Sequence, residues 1–269
     1  MAIDRRFTGK ARVPGGELAF ELRGTGTPVV LLHGGALDRS TWDAESALLA
    51  PNHTVIRYDA RGHGNSSTPT TPFAHHEDLH TLLRALELPS ATLVGLSLGA
   101  RTAIDFTLTH PDQVERLVLV APGISGMAFQ DPFVLEHLRR IGESGGDPAV
   151  IAKCFLRMWV DGPHRSPTEV DPAVRTRCAT IATANFTHHA PGGGRFATEV
   201  GAWDRLADLA APTLLVVGDQ DSTDIHGAAD RIAAAAPAAR AEVVPGAGHM
   251  VNLERPADFH HLLLDFLGQ

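Results

Sequence analysis

The residues of this chain with the clearest chemical potential lie at a serine flanked by two glycines. Residues 95–99 read Gly-Leu-Ser-Leu-Gly, after the apolar residues 91–94 and before a helix-like segment, residues 100–106. In this strand–turn–helix context Gly-x-Ser-x-Gly projects the hydroxyl from the top of a sheet, and the glycines avoid collisions with neighbouring backbone. The following helix directs free N–H groups towards an oxyanion formed at the serine. An incidental serine in a glycine turn would match the same letters, but the context favours Ser97 as a nucleophile.

A serine nucleophile needs a base, and the base needs an orienting acid. On a sheet of this kind the acid follows the serine in the chain and the histidine comes last. Residues 212–221 read as a buried strand that ends in an acidic loop, and residues 241–250 read as a short strand and a glycine-rich turn that contains His249. Both candidate partners follow the C-terminal end of a predicted strand, where open α/β sheets place their sites.

Several segments make the chain resemble the α/β-hydrolase superfamily over nearly its whole length. They are the serine turn, His33-Gly34-Gly35 after a predicted strand, Tyr-Asp-Ala-Arg-Gly-His-Gly-Asn-Ser at residues 58–66, Pro-Gly-Ala-Gly-His at 245–249 and Asn-Leu-Glu-Arg-Pro at 252–256. The chain is most similar to the small esterase, 3-oxoadipate enol-lactonase and cofactor-free haloperoxidase group. The resemblance implies Ser97 as nucleophile, Asp221 as acid and His249 as base. It also implies that the backbone N–H groups of Gly35 and Leu98 form the oxyanion hole.

The acid has competitors within its own loop. Asp219, Asp221 and Asp224 all follow the predicted strand, and the proline that family members often carry shortly after the acid is missing here. We favour Asp221 because it matches the Gly-x-x-Asp spacing from Gly218. The other two carboxylates are expected to cap backbone groups or to face solvent.

The activity that the resemblance implies is that of a serine hydrolase, which cleaves a carboxylic ester or lactone through an acyl-enzyme without a cofactor or metal. The same three residues could instead serve carbon–carbon bond hydrolysis or perhydrolysis, and a non-catalytic ligand-binding member of the fold is a further alternative. Epoxide hydrolases and haloalkane dehalogenases resemble this fold but carry aspartate in place of the serine. Ser97 therefore argues against both.

The whole composition is that of an ordinary globular protein. The chain has 269 residues, of which 43% are hydrophobic and 20% charged, and its formal net charge is −8. The acidic balance argues against a nucleic-acid partner, and no apolar run reaches membrane-spanning length. Residues 1–7 lack the apolar core of a signal peptide, and Cys154 and Cys178 are too few for a disulfide framework. We expect a cytoplasmic protein; the sequence carries no indication of its oligomeric state.

The order of apolar segments predicts an α/β fold. Strand-like segments alternate with helical ones from about residue 29 to residue 120 and again from residue 212 to residue 267. This alternation is typical of a mostly parallel sheet flanked by helices, and residues 17–23 add an antiparallel lead-in strand. Two helical stripes are expected to pack on the core: Leu79, Leu82, Leu83 and Leu86, and Phe259, Leu262, Leu263, Phe266 and Leu267.

Between residues 122 and 208 the alternation stops and only helical fragments are recognisable. The resemblance implies a small helical cap inserted after the sixth main strand. We therefore expect residues 1–122 and 209–269 to form the α/β-hydrolase core and residues 123–208 to form the cap, all within one domain.

Large apolar side chains in and around the cap are candidates for substrate binding. They are Met127, Phe129, Trp159, Trp203 and Met250. Each would also suit the hydrophobic core. If they line the pocket, the substrate is a small apolar ester or lactone.

Residues 76–80 read His-Glu-Asp-Leu-His, which matches the His-Glu-x-x-His pattern of zinc peptidases. No third ligand can be assigned, and an amphipathic helix that packs Leu79 inward gives the same letters. We therefore expect no metal. His33 and His63 lie in glycine-containing turns, where we expect them to stabilise the backbone and not to carry protons.

Overall fold

The fold is built around one sheet, which the computed structural model describes within residues 6–189 and 193–268. Residues 1–5, 190–192 and 269 lie outside the described residues, and with them most of the N-terminal segment considered above. The strands are β1 (Arg6–Val13), β2 (Gly16–Arg23), β3 (Thr27–Leu32), β4 (His53–Tyr58), β5 (Ala91–Leu96), β6 (Val114–Val120), β7 (Thr213–Gly218) and β8 (Ala239–Val244). Their spatial order is β1-β2-β4-β3-β5-β6-β7-β8. Strand β2 is antiparallel to both of its neighbours and the other pairs are parallel, which confirms the predicted mostly parallel sheet.

Helices cover both faces of this sheet. They are α1 (Asp43–Leu49), α2 (His75–Ala85), α3 (Leu98–Thr109), α4 (Pro132–Glu143), α5 (Pro148–Phe155), α6 (Pro172–His188), α7 (Thr223–Ala235), α8 (Val251–Glu254) and α9 (Pro256–Leu267). All six residues of β5 and all six of β7 are buried, as expected for central parallel strands.

Two hydrophobic clusters, one on each face, follow the two-residue period of the strands. Leu93 packs in the first and Val94 in the second. The predicted stripes supply one cluster each: Leu79 of α2 is buried in the first and Phe259 of α9 in the second. The sequence prediction of helices on both faces is therefore confirmed.

The segment between β6 and β7, which we call the helical insertion (residues 123–208), contains α4, α5 and α6. A π-helical turn, Leu156–Asp161, follows α5. No strand of the sheet lies between β6 and β7 in the part of the chain that the structure describes. The assignment of this segment as a cap, with boundaries at residues 122 and 209, stays a prediction.

Reciprocal hydrogen bonds fasten the start of α4 to the start of α7. Asp131 accepts hydrogen bonds from the backbone N–H of Thr223 at 3.1 Å and from its hydroxyl at 2.9 Å. Asp224 in turn accepts from the backbone N–H groups of Gln130 at 2.8 Å and Asp131 at 3.0 Å. The insertion is thereby anchored beside the acidic loop that follows β7.

Candidate active site

Ser97 occupies the sharp turn between β5 and α3. Its backbone has φ 54° and ψ −106°, a conformation that a residue with a side chain rarely adopts. A Cβ on Gly95 would lie 2.5 Å from the nitrogen of Ala100, and one on Gly99 would lie 2.6 Å from the carbonyl carbon of Leu32. Both flanking positions therefore require glycine, for the steric reason anticipated from the sequence.

Two backbone N–H groups beside Ser97 are free to bind an anion. Leu98 is the first residue of α3, where N–H groups have no partner within the helix. Neither Leu98 N–H nor Gly35 N–H donates a hydrogen bond to another described residue. A Cβ on Gly35 would lie 3.8 Å from the Cβ of Leu98, so the two backbone segments are adjacent. This is the arrangement that an oxyanion hole requires.

His249 and Asp221 form a buried pair after β8 and β7. Nδ1 of His249 lies 2.7 Å from Oδ2 of Asp221, and the two residues are 3% and 2% exposed. The other carboxylate oxygen, Oδ1, accepts from the backbone N–H of Ser222 at 2.7 Å. Since the carboxylate accepts, Nδ1 carries the proton and Nε2 is left as an acceptor. The Trp159 ring packs on the imidazole with centroids 4.7 Å apart.

The two competing carboxylates have other partners. Asp219 accepts from the backbone N–H of Gly246 at 2.7 Å, and Asp224 holds the insertion as described above. Among the three, only Asp221 is hydrogen-bonded to His249 within the described structure. The role of Asp221 as the catalytic acid stays a prediction.

Ser97 and His249 line one cavity of about 370 Å³, together with Gly35 and Leu98. Four of the apolar residues singled out from the sequence also line it: Met127, Phe129, Trp159 and Met250. Further apolar lining residues that the sequence analysis did not identify are Leu138, Ile141, Ile151, Phe155, Met158, Phe186 and Ile225. The cavity wall is therefore assembled largely from the insertion.

Trp203 lies elsewhere. Its ring is covered by the guanidinium of Arg231, 4.2 Å from the ring centroid, and its backbone N–H donates to the carbonyl of Ser125 at 3.0 Å. It does not line the cavity that holds Ser97. The structure therefore separates Trp203 from the other four candidates.

Residues 33–37, which we call the oxyanion loop, are held by side chains from distant segments. Nε2 of His63 accepts from the backbone N–H of Ala36 at 3.1 Å. Nδ2 of Asn185, in α6, donates to the carbonyls of Ala36 and Leu37, both at 2.9 Å. Ala36 has a positive φ of 60°, so these bonds hold a strained backbone in place. No motif signals Asn185, whose partner Ala36 lies 149 residues away in the chain.

The two histidines of these turns have the structural role expected from the sequence. His33 lies with Nδ1 2.8 Å from the carbonyl of Gly34, while its Nε2 accepts from the backbone N–H of Ala60 at 2.9 Å. Burial lowers the pKa of His33 and outweighs the opposing effect of the Asp59 carboxylate. Burial and the neighbouring His33 likewise hold the pKa of His63 well below its usual value. Both rings are neutral acceptors for backbone N–H groups.

The His-Glu-x-x-His segment forms the first turns of α2. Nε2 of His76 lies 3.5 Å from the Glu77 carboxylate, whereas His80 stacks on His110 with ring centroids 4.1 Å apart. Within residues 6–189 and 193–268, no three histidine, cysteine, aspartate or glutamate side chains are grouped so as to hold a metal ion. Over the same residues no helix is long and apolar enough to cross a membrane.

Comparison with known proteins places this geometry in a family. The model of the alpha/beta hydrolase family matches residues 29–262. A protein of Synechocystis sp. named as a non-heme chloroperoxidase is 28% identical over 93% of this chain and 95% of its own length. An esterase of Mycobacterium tuberculosis is 27% identical over 91% of this chain and 84% of its own. The crystal structure of a Pseudomonas aeruginosa hydrolase superposes with a TM-score of 0.82 at 30% identity, covering 97% of this chain and 98% of that one. This chain belongs to the alpha/beta hydrolase family.

Proposed function

We propose that this protein is a serine hydrolase of carboxylic esters or lactones that works through Ser97, His249 and Asp221. The observation that carries the proposal is the buried 2.7 Å hydrogen bond between His249 and Asp221, beside a cavity that also holds Ser97 on its strained turn. A nucleophile, an oriented base and two free N–H donors around one cavity are the parts that acyl transfer requires. The named activity of the M. tuberculosis esterase supports the same chemistry.

In the first half of the reaction, Nε2 of His249 takes the proton of the Ser97 hydroxyl as its oxygen attacks the carbonyl carbon. Asp221 accepts from Nδ1 throughout, which keeps the imidazole in the productive tautomer and stabilises the imidazolium. The carbonyl oxygen becomes an oxyanion, bound by the N–H groups of Gly35 and Leu98. Each such donor contributes about 3 kcal/mol to lowering the barrier.

The tetrahedral intermediate then collapses. Protonated His249 gives its proton to the leaving alcohol oxygen, and the acyl group stays on Ser97 as an ester. In the second half, His249 removes a proton from water as the water oxygen attacks the acyl carbon. Protonated His249 then gives that proton to the Ser97 oxygen as the bond between this oxygen and the acyl carbon breaks, which restores the serine hydroxyl and releases the carboxylic acid. The residues named here supply all proton transfers, so the proposed reaction uses no cofactor.

Labelling and substitution of Ser97 test the proposal. A fluorophosphonate probe should label Ser97 alone and abolish hydrolysis of p-nitrophenyl esters. Ser97→Ala should lose on the order of 10⁴-fold or more in kcat while its circular dichroism stays that of the wild type. Near-wild-type turnover in folded Ser97→Ala would refute the mechanism.

Perhydrolysis is a second candidate because the Synechocystis relative is named as a chloroperoxidase. In that reaction hydrogen peroxide replaces water in the attack on the acyl-enzyme, and the product is a peracid. The same ester should then be assayed with and without peroxide in the presence of bromide. A peracid oxidises bromide to hypobromous acid, which brominates monochlorodimedone and so reports peracid formation. Halogenation that depends on both Ser97 and the ester would establish perhydrolysis beside hydrolysis.

A further inference from the structure

A second cavity of about 590 Å³ adjoins the one that holds Ser97. We call the first the apolar cavity and the second the polar chamber. Six residues line both: Ala36, Leu98, Arg101, Ile141, Ile151 and Phe186. His249 lines the apolar cavity but not the polar chamber. The polar chamber therefore begins at the oxyanion-hole segments and extends away from the base.

Two arginines of unequal character face the polar chamber. Arg61 is buried, and its Nε and Nη2 bind the buried carboxylate of Asp78 at 2.9 and 2.6 Å. Arg101 lies one helical turn after Ser97, since its backbone N–H donates to the Ser97 carbonyl at 2.9 Å. Its Nη1 binds Glu199 at 2.7 Å, in an ion pair whose two side chains are 36% and 37% exposed. An ion pair with that exposure is weak and can be rearranged by a ligand.

The histidines of the chamber add no positive charge. Burial, helped by the charge of Arg101, lowers the pKa of His75 to about 3. Burial also lowers the pKa of His63 and of His189. The charged side chains that line the chamber are therefore those of Arg61, Arg101 and Glu199, and the charge of Arg61 is balanced by its partner Asp78.

Each of the two arginines also has one nitrogen without a hydrogen-bond partner in the part of the chain that the structure describes. Nε of Arg101 and Nη1 of Arg61 are buried and have no hydrogen-bond partner among the described residues. Among the described residues, these two are the only buried arginine nitrogens without a hydrogen-bond partner. A carboxylate is the best acceptor for a guanidinium because it can bind one guanidinium edge through two oxygens, and the partly exposed side chain of Arg101 is the one that a ligand in the chamber can reach.

The position of the base decides which end of the substrate enters this chamber. A leaving oxygen must lie next to His249 to receive its proton, so the leaving group belongs in the apolar cavity. The acyl chain then extends past Leu98 and Ala36. We propose that the polar chamber binds a carboxylate at the far end of the acyl chain, and that Arg101 selects esters of dicarboxylic acids. This inference rests on the proposed function and names its substrate class.

Matched esters test the assignment. The p-nitrophenyl monoester of pimelic acid and p-nitrophenyl heptanoate have the same leaving group and the same number of acyl carbons, and differ in a terminal carboxylate. We expect Arg101→Gln to lower the ratio of their kcat/KM values, monoester over heptanoate, by about 10- to 100-fold, the usual effect of a charge-assisted hydrogen bond. Arg101→Lys should give an intermediate ratio, because lysine keeps the positive charge but cannot bind both carboxylate oxygens as a planar guanidinium does. Glu199→Gln should raise the ratio by removing a competing carboxylate.

Two controls test whether the change in the ratio is specific to an arginine of the polar chamber and to a carboxylate on the acyl chain. Arg231→Gln changes an exposed arginine that covers Trp203, and should leave the ratio at its wild-type value. The heptanoyl ester of 4-hydroxybenzoate carries its carboxylate on the leaving group, and its preference over p-nitrophenyl heptanoate should not depend on Arg101. The inference would be overturned if Arg101→Gln left this ratio unchanged, either because neither kcat/KM value fell or because both fell equally.

A binding measurement separates this inference from the proposed mechanism. In a Ser97→Ala background, calorimetry with pimelate should show the same 10- to 100-fold loss of affinity on adding Arg101→Gln, whereas the affinity for heptanamide, which carries no carboxylate, should not change. Equal pimelate affinity in the two proteins would refute the carboxylate site. Failure of the wild type to hydrolyse any ester, together with Arg101-dependent pimelate binding, would refute the proposed function and leave the site standing.

Discussion

Asn185 offers a test of whether the helical insertion sets the geometry of the oxyanion hole. Asn185 is 5% exposed, and its side chain bridges two segments of the core. Nδ2 donates at 2.9 Å to the carbonyls of Ala36 and Leu37, and Oδ1 accepts at 2.7 Å from the backbone N–H of Gly64. Leucine has a similar size and shape but can form none of these bonds. Asn185→Leu should therefore disturb the oxyanion loop without opening a large space.

The magnitude follows from the groups that lose their partners. Two buried carbonyls and the half-buried N–H of Gly64 lose their partner, at about 1–3 kcal/mol for each buried group, so the free energy of unfolding should fall by roughly 2 kcal/mol or more. Removal of one oxyanion-hole donor lowers kcat by about 10²- to 10³-fold, and a displaced Gly35 N–H retains part of that interaction. We expect kcat to fall by about 10- to 100-fold. KM should change little, because the donors act mainly on the transition state.

The assay is steady-state hydrolysis of a p-nitrophenyl ester, at a temperature where circular dichroism shows the variants folded. Asn185→Asp keeps an acceptor for Gly64 but faces the carbonyls of Ala36 and Leu37 with a carboxylate, so it should lose as much kcat as Asn185→Leu. Thr187→Ala, an exposed change in the same helix, is the matched control and should behave as wild type. Unchanged kcat in folded Asn185→Leu, or a loss confined to KM, would refute the reasoning.

Asp221→Asn should lower kcat by about 10⁴-fold with the fold intact, whereas Asp219→Asn should cost only a few-fold because Asp219 holds a surface turn. A larger loss at Asp219 would move the acid to that position. Prolonged chelator treatment should leave ester hydrolysis unchanged, and elemental analysis should find no stoichiometric zinc; activity lost to chelator and restored by zinc would instead implicate the His-Glu-x-x-His segment. Acidification should destabilise the fold, because His33 and His75 bind a proton near pH 6.5 when unfolded but have lowered pKa values when folded, that of His75 being about 3. The unfolded state then binds more protons, so stability present above pH 6.5 is lost as the pH falls, by up to about 1.4 kcal/mol per pH unit for each histidine. Urea unfolding at pH 7.5 and 5.5 measures this, and a higher midpoint at pH 5.5 would contradict it.

The central strands were predictable because burial on both faces requires continuous apolar segments, as in β5 and β7. The edge strand β1 was not predicted. Its sequence, Arg-Phe-Thr-Gly-Lys-Ala-Arg-Val, is exposed at five positions and buried at only two, so it carries little hydrophobic pattern. Edge strands commonly carry charged residues in this way, and only their pairing identifies them.

Within the site, the residues fixed by local backbone geometry could be read from the sequence. Ser97 and its glycines form one turn, and His249 ends another. For the acid, the sequence offered only a spacing in favour of Asp221 over the carboxylates at positions 219 and 224, and the structure adds the partner of each side chain. The apolar residues of the insertion that line the cavity are harder still to predict, because the helical period shows which residues share a face but not which part of the protein that face packs against. Trp203 illustrates this, since it packs under Arg231 and Trp159 packs on His249.

The contacts of the insertion divide its residues into two groups with different consequences for engineering. Asn185 binds the oxyanion loop and Trp159 packs on the imidazole, so changes there alter the placement of the reacting groups. Leu138 lines the apolar cavity from the middle of α4, is 36% exposed, and lies on a helix whose start is fastened to the core through Asp131. Substitution of Leu138 by a smaller residue should therefore shift the preferred length of the leaving group while kcat for the best ester is retained. If kcat fell as it does in Asn185→Leu, the wall of the cavity and the oxyanion loop would be coupled through the whole insertion, and not through Asn185.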